Sequence, residues 1–224
     1  GRGLEFGALH APVQVGAECT MEYADKLTRE ESYELFYDMR EQYGAQMVEV
    51  DHIVDLDVDD LSALEQPGHD FYIAAGVIEH LVNPLRFLEN VHRIMKPGGL
   101  FLLSAPDRDY TWDCDRALTT NEHLLDEYER NEQALSVEHL EEFIRAASPI
   151  PLPAEEPHRT NLLEFHRDRT IHVHVWDERS FADFLRFANE RLGLTFEVVD
   201  DAGPHPGMGN VLYVLRKGGG KDSP

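Results

Sequence analysis

Two histidines separated by one residue, His172 and His174, stand in the segment Ile171-His172-Val173-His174-Val175-Trp176. The apolar residues around them alternate as in a β-strand, which would put both imidazoles on one face. A neutral imidazole takes up a proton near neutral pH, and imidazole pairs also hold zinc or nickel. The pair is read as lining a pocket, with one member a general base; a metal pair and a polar surface are the other readings. A metal would want a third ligand, and His158 and His166 fall in a proline-rich stretch, so no metal is expected. A second group is Pro106-Asp107-Arg108-Asp109-Tyr110-Thr111-Trp112-Asp113, which mixes acid, base, aromatic and hydroxyl more densely than a plain loop requires. Asp107, Tyr110 and Asp113 are its candidate polar contacts, unless Arg108 and Arg116 take up the acids in ion pairs. A third candidate is Asp25, at the end of an apolar run. An acid there can accept from both hydroxyls of a ribose, or serve simply as a turn residue.

The elements that must position these groups follow from period and punctuation. Strands are expected over residues 3–7, 20–25, 48–54, 71–75, 100–104, 195–199 and 211–215, with 171–176 strand-like. Thr28 and Glu31 form a capping box that opens a helix to about residue 43, before Gly44. A helix over 84–95 places Leu85, Leu88, Val91 and Met95 on one face. Another over 180–191 turns Phe181, Phe184, Leu185, Ala188 and Leu192 inward and ends at Gly193. Residues 121–147 are charged and helical, and Pro149, Pro151, Pro153 and Pro157 then break regular structure. Strands alternating with helices imply a mostly parallel sheet covered on both faces. Ligands of such sheets lie beyond the carboxyl ends of the strands, which puts residues 106–113 along an acceptor pocket.

The bulk numbers bound the rest. A length of 224 residues suits one α/β domain with an insertion. Forty-three acidic against 20 basic residues give a formal charge of −23, which repels phosphate backbones and argues against nucleic acid as partner. The apolar runs are strand-sized, far short of the ~20 residues of a membrane span, so no membrane partner is expected. No basic-then-apolar leader opens the sequence, and Gly1 begins almost inside the first strand, so an N-terminal helix is absent, removed or short on this reading. Cys19 and Cys114 lack metal-like spacing and read as free thiols of a reducing cytoplasm. A monomer or homodimer is expected.

Three segments together resemble a known family. They are Leu4-Glu5-Phe6-Gly7-Ala8-Leu9-His10-Ala11-Pro12, the run from Asp70 through Ala74-Ala75-Gly76 to Glu79-His80-Leu81, and Arg93-Ile94-Met95-Lys96-Pro97-Gly98-Gly99-Leu100. The chain resembles class I S-adenosylmethionine (SAM) dependent methyltransferases, in a type 11-like branch whose first motif is Glu-x-Gly-x-Leu-x-x-Pro. Leu9 and Ala11 stand where the common form of that motif has glycines. Residues 106–113 are similar to the Pro-Asp-Lys-x-Tyr-Thr-Phe-Asp segment of the same branch, which is associated with glycan-building enzymes.

The resemblance implies a Rossmann-like, seven-stranded mixed sheet with helices on both faces, an antiparallel last strand and a helical insertion after the fifth strand. Residues 1–224 would be one domain, with 116–170 a substrate-facing cap and 217–224 a disordered tail. SAM would lie on Glu5, Gly7, Ala8 and Leu9 and beside the main chain of Ala74, Ala75 and Gly76. Its ribose would meet Asp25, and its adenine amino group Asp57 or, alternatively, Asp55. Glu79 and His80 would brace loop and helix; metal-binding relatives need a further acid where this chain has Gly76. The expected activity is methyl transfer to a hydroxyl or amine of a small-molecule or sugar-like acceptor, such as a glycan precursor. His172, His174, Asp107, Tyr110 and Asp113 are the expected catalytic group. A degenerate binding or scaffold protein is the alternative. A nicotinamide oxidoreductase would need Gly-x-Gly-x-x-Gly, which residues 7–12 do not supply.

Overall fold

A computed structural model describes residues 1–37, 46–65, 68–204 and 209–219. Seven strands form one sheet: β1 (Arg2–Phe6), β2 (Thr20–Asp25), β3 (His52–Ile53), β4 (Phe71–Ala75), β5 (Leu100–Pro106), β6 (Phe196–Ala202) and β7 (Asn210–Lys217). Their spatial order is β3-β2-β1-β4-β5-β7-β6. The first five are parallel, and β7 runs antiparallel to both β5 and β6. The helices described are α1 (Arg29–Leu35), α2 (Pro84–Ile94), α3 (Asn121–Arg130), α4 (Val137–Ala146), α5 (His158–Arg169) and α6 (Glu178–Leu192). This is the α/β, Rossmann-like architecture expected from the alternating pattern.

Local chemistry explains the main elements. Asn83 caps α2 by accepting the Arg86 amide at 3.1 Å, and Pro84 fills the first turn, where its missing N–H costs nothing. Leu85, Leu88, Val91 and Met95 all face the core, as their spacing predicts, and Phe87 joins them. Phe87 meets Phe6 edge-on at 5.5 Å and Phe101 at 6.2 Å, so one ring ties α2 to β1 and β5. Asp177 and Ser180 form a reciprocal capping box at the start of α6, and Gly193 ends that helix in a left-handed conformation, φ +66°. The Thr28–Glu31 capping box is present at α1.

Several expectations need correction. Residues 171–176 are not a strand: Trp176 makes a single bridge to Asp107. The amides of Val173 and His174 both donate to Glu79 O instead of a strand partner. β3 pairs over only two of the residues expected, and β5 extends two residues further, to Pro106. α1 ends at Leu35, where the Phe36 amide closes on Ser32 O; residues 38–43 of its expected span lie outside the described residues. The helical stretch 121–147 divides at Asn131, whose φ of +52° breaks it into α3 and α4. The proline-rich region gives way to α5, which with α4 closes a small second core of Leu140, Ile144, Leu163, Ile171 and Val173. Lys217 belongs to β7, and its Nζ donates to the His92 and Met95 carbonyls, while the Gly218 amide donates to Thr195 O. Residues 217 and 218 of the expected tail are therefore held in place, and residues 220–224 lie outside the described residues. Among the described residues no helix is long and apolar enough to cross a membrane.

Replacing Phe87 with alanine should cost about 3–5 kcal/mol, because its ring is fully buried between three elements. Denaturant titration checks this, and an unchanged midpoint would remove Phe87 from its role as the tie.

Candidate active site

The chain fills the sheet outward from β1 to β3, then returns to start β4 on the other side of β1. In open parallel sheets the neighbouring connections diverge at such a point, and ligands bind in the crevice beyond the strand ends. The register puts Phe6 beside Ala24 on one flank and Ala74 on the other. Gly7, Asp25 and Ala75-Gly76 therefore leave the sheet side by side. Gly7 has φ +63°, and a Cβ there would lie 2.8 Å from Val77 Cγ2. Gly76 has φ +69°, and a Cβ there would meet only Glu79 Oε1, at 3.5 Å. Both turns thus need glycine for their left-handed backbone, and a Cβ at Gly76 would make only ordinary contact.

Glu5 is buried beneath the loop that follows β1 and accepts the Val13 amide at 3.1 and 3.2 Å. Ala8 is buried, and Leu9 takes a left-handed φ of +46° while its carbonyl accepts the Val48 amide. Burial pushes the Glu5 carboxyl up to about 7, against the pull of the Val13 amide. Asp25 accepts the Lys26 amide at 2.7 Å, and burial raises its pKa too. Asp55 pairs with Lys26 at 2.8 Å. Asp57 receives the Val82 and Asn83 amides on Oδ1, at 2.8 and 3.3 Å, and burial lifts it to about 6. Asp57 therefore braces the entry to α2 whatever else it does.

The residues expected to meet an acceptor separate. Asp107 is buried, with Oδ1 on the Asp109 amide and Oδ2 on the Glu178 amide. It fastens β5 to the start of α6 and is not an open contact, which corrects its expected role. Tyr110 is exposed, as is Trp112. Asp113 is buried and accepts from His172 Nδ1 at 2.5 Å and from Arg116 Nη1 at 2.7 Å. Burial alone would raise the Asp113 carboxyl, but the His172 and Arg116 bonds outweigh it and leave its pKa below the ordinary value. Trp112 stacks on the His172 ring at 5.0 Å, and His80 meets its edge at 4.9 Å. Arg116 also donates to the His172 carbonyl and to Glu142, so it clamps the dyad to α4.

His174 does not share a face with His172. It is buried, 3.3 Å from the Val82 carbonyl, and its ring faces His123, His139 and Trp176. Burial pushes its pKa down to about 3, so it stays neutral and walled off from any acceptor in the crevice. Without strand alternation the two rings turn to opposite sides of the segment, which corrects the paired reading. Trp112 and Glu142 were not anticipated. Trp112 could have been read from its place in the acid-rich segment, but Glu142 carries no sequence signal that points to Arg116.

Two cavities lie away from this edge. One, of about 530 Å³, adjoins Ile144, Ser148, Pro151 and Arg159; the other, of about 190 Å³, adjoins Leu185, Phe196 and Tyr213. The first is lined by Arg145 and Arg159, which both pair with Glu141.

A methyltransferase domain model matches residues 26–192, most of the chain. The chain belongs to the methyltransferase domain family. It is an enzyme of the methyltransferase type. No curated protein matches the sequence. Among solved structures, a protein from Rhodobacter sphaeroides described as a putative zinc-dependent alcohol dehydrogenase is similar at TM-score 0.56 and 14% identity, covering 97% of this chain and 84% of that one. At this identity the likeness concerns the fold alone. A possible histamine N-methyltransferase from Thermotoga maritima aligns at TM-score 0.48 and 16% identity, over 96% of this chain and 82% of that one. The CurJ carbon methyltransferase aligns at 0.48 and 14%, over 97% of this chain. The enzyme spans 48% of the length of that protein.

The raised Glu5 pKa has a signed consequence. The folded carboxyl holds its proton more tightly than the unfolded one, so its ionisation lowers stability as pH rises from about 4.5 to about 7. Glu5→Gln removes that loss. Its stability relative to the parent should improve between pH 5 and pH 8 by on the order of 1–3 kcal/mol. Denaturant midpoints at the two pH values check it, and equal differences would show Glu5 to be ordinary.

Proposed function

We propose that the enzyme transfers the SAM methyl group to a hydroxyl or amine of a small, sugar-like acceptor, held between the strand-end crevice and Trp112. The observation that carries this reading is the 2.5 Å bond between His172 Nδ1 and Asp113. That bond leaves Nε2 as the basic nitrogen and fixes the ring that must receive a proton.

The strand-end residues suit the cofactor. Gly7, Ala8 and Leu9 present main chain on one side, and Ala74, Ala75 and Gly76 on the other, with Glu5 holding the first loop from below. Asp25 suits the ribose hydroxyls, and Asp57, through Oδ2, suits the adenine amino group, with Asp55 beside it. The bound sulfonium supplies an activated methyl group. The chain's own work is then to align the acceptor, exclude water and take one proton. Trp112 offers a face on which a sugar ring can stack, Tyr110 offers a hydroxyl, and His172 Nε2 accepts the acceptor's proton. Asp113 keeps its charge and holds the Nδ1–H, and Arg116 holds Asp113. The step from cofactor to base is short in sequence and space: Gly76 faces Glu79, and the next residue, His80, packs on His172.

Two measurements test the reading. Calorimetry should show Asp25→Ala weakening SAM binding by about tenfold or more, the loss of one or two charge-assisted hydrogen bonds; unchanged affinity would release Asp25 from the ribose. With a panel of small hydroxyl and amine acceptors, formation of S-adenosylhomocysteine should slow by about 10²–10⁴-fold in His172→Gln while SAM affinity holds. A parallel loss in both would make His172 a structural residue.

A further inference from the structure

We infer that His123, Glu127 and His139 form a four-coordinate site for a zinc-type divalent cation, joining α3 to α4, with its fourth position open to solvent. The site lies apart from the methyl-transfer crevice, and its case stands whether or not the proposed acceptor chemistry is right.

The geometry comes from two helix positions. His123 and Glu127 are one turn apart on α3 and so share a face. His139 sits in the first turn of α4, where Ser136 caps the helix by accepting the His139 amide. Ser136 Oγ also lies 3.0 Å from His139 Nδ1. That contact turns Nε2 toward α3 and fixes the tautomer, as a second-layer partner does for a metal-bound imidazole.

The three ligand atoms make a nearly equilateral triangle. His123 Nε2 is 3.2 Å from His139 Nε2, and each lies 3.4 Å from Glu127 Oε1. Zinc binds imidazole nitrogen and carboxylate oxygen at about 2.0–2.2 Å, which for a tetrahedron gives edges of about 3.3–3.6 Å. The triangle is thus close to one face of a zinc tetrahedron with little movement of the side chains. His123, partly exposed, leaves the outer side open for water.

The charge arrangement points the same way. Glu127 is 2% exposed, and its Oε2 accepts no hydrogen bond. Histidines face it on three sides, with His174 Nε2 3.5 Å from Oε2. A buried carboxylate is costly unless a cation or hydrogen bonds compensate it. Without a cation, the two facing Nε2 atoms can share only one proton; a divalent cation takes its place, releases that proton to water and neutralises Glu127. His174 then acts as a positioning residue behind the carboxylate. Glu79, His80 and His172 also bring ligand atoms within 4.8 Å of one another, but His172 already bonds to Asp113 in the candidate active site.

The sequence-based expectation of no metal rested on the His172–His174 pair and on Gly76. The residues that meet here lie elsewhere, and only His123 and Glu127 are near each other in sequence.

The test uses the full chain stripped with chelator, titrated with Co²⁺ and then Zn²⁺. The expected result is a saturable visible absorption band of four-coordinate cobalt, abolished by stoichiometric zinc. His139→Ala and Glu127→Gln should each weaken zinc binding by more than about 100-fold, and His174→Ala by about 10–100-fold. SAM affinity should be unchanged in His139→Ala. Should a core variant fail to fold, His123→Gln, on the exposed side, gives the same comparison. Absence of the cobalt band in the parent protein, or equal zinc affinity in parent and His123→Gln, overturns the site.

Discussion

Between β1 and β4 the chain reverses its direction of travel across a parallel sheet, and no connection can cover the strand ends at that place. The residues proposed to hold the cofactor stand along that edge. Two glycines at left-handed φ, Gly7 and Gly76, let the chain leave the sheet without filling the crevice with side chains. The parallel register of β2, β1 and β4 then fixes Asp25 beside Gly7 with no direct bond between them. Glu5, buried, and Asp57, half-buried, each take loop amides onto their carboxylates. Their raised pKa values are the cost of that burial, which disfavours the charged form.

The other half of the site depends on a cation that cannot lose its charge. Arg116 is buried, and a buried guanidinium must be paired and hydrogen-bonded. It satisfies that need with Asp113, Glu142 and the His172 carbonyl, three groups from separate parts of the chain. The insertion is thereby bolted to the segment that carries His172. The same pairing keeps Asp113 ionised, so that it holds His172 through Nδ1. α4 and α5 close a small core of their own, separate from that of the main sheet.

Much of the fold was legible because its signals are local. The capping box at Thr28 and the stop at Gly193 each act within one helical turn, whereas the caps at Asn83 and Asp177 were found only in the structure. The inward faces of α2 and α6 follow from spacing alone. Legibility failed where a segment's hydrogen bonds go somewhere sequence cannot name. Residues 171–176 alternate like a strand, yet their amides are captured by Glu79 O and Thr119, so no ladder forms and the two histidines part. Asp107 looks like a ligand residue in its motif, but the amides of Asp109 and Glu178 claim it. The break at Asn131 is visible in hindsight as a residue tolerant of the left-handed region, though one asparagine among many polar residues marks nothing by itself.

By itself, the sequence determined the alternating α/β order, the positions of the turns at Gly7, Gly76 and Lys96-Pro97-Gly98-Gly99, and the acids that stand at strand ends. These depend on period and backbone freedom, which act over a few residues. Tertiary structure alone decided which histidine meets an acid, which acid is already occupied, and which three side chains on α3 and α4 come within reach of one another. Those outcomes rest on burial and on long-range hydrogen bonds between segments far apart in the chain. Only the folded packing sets where such groups lose their water and which partner replaces it.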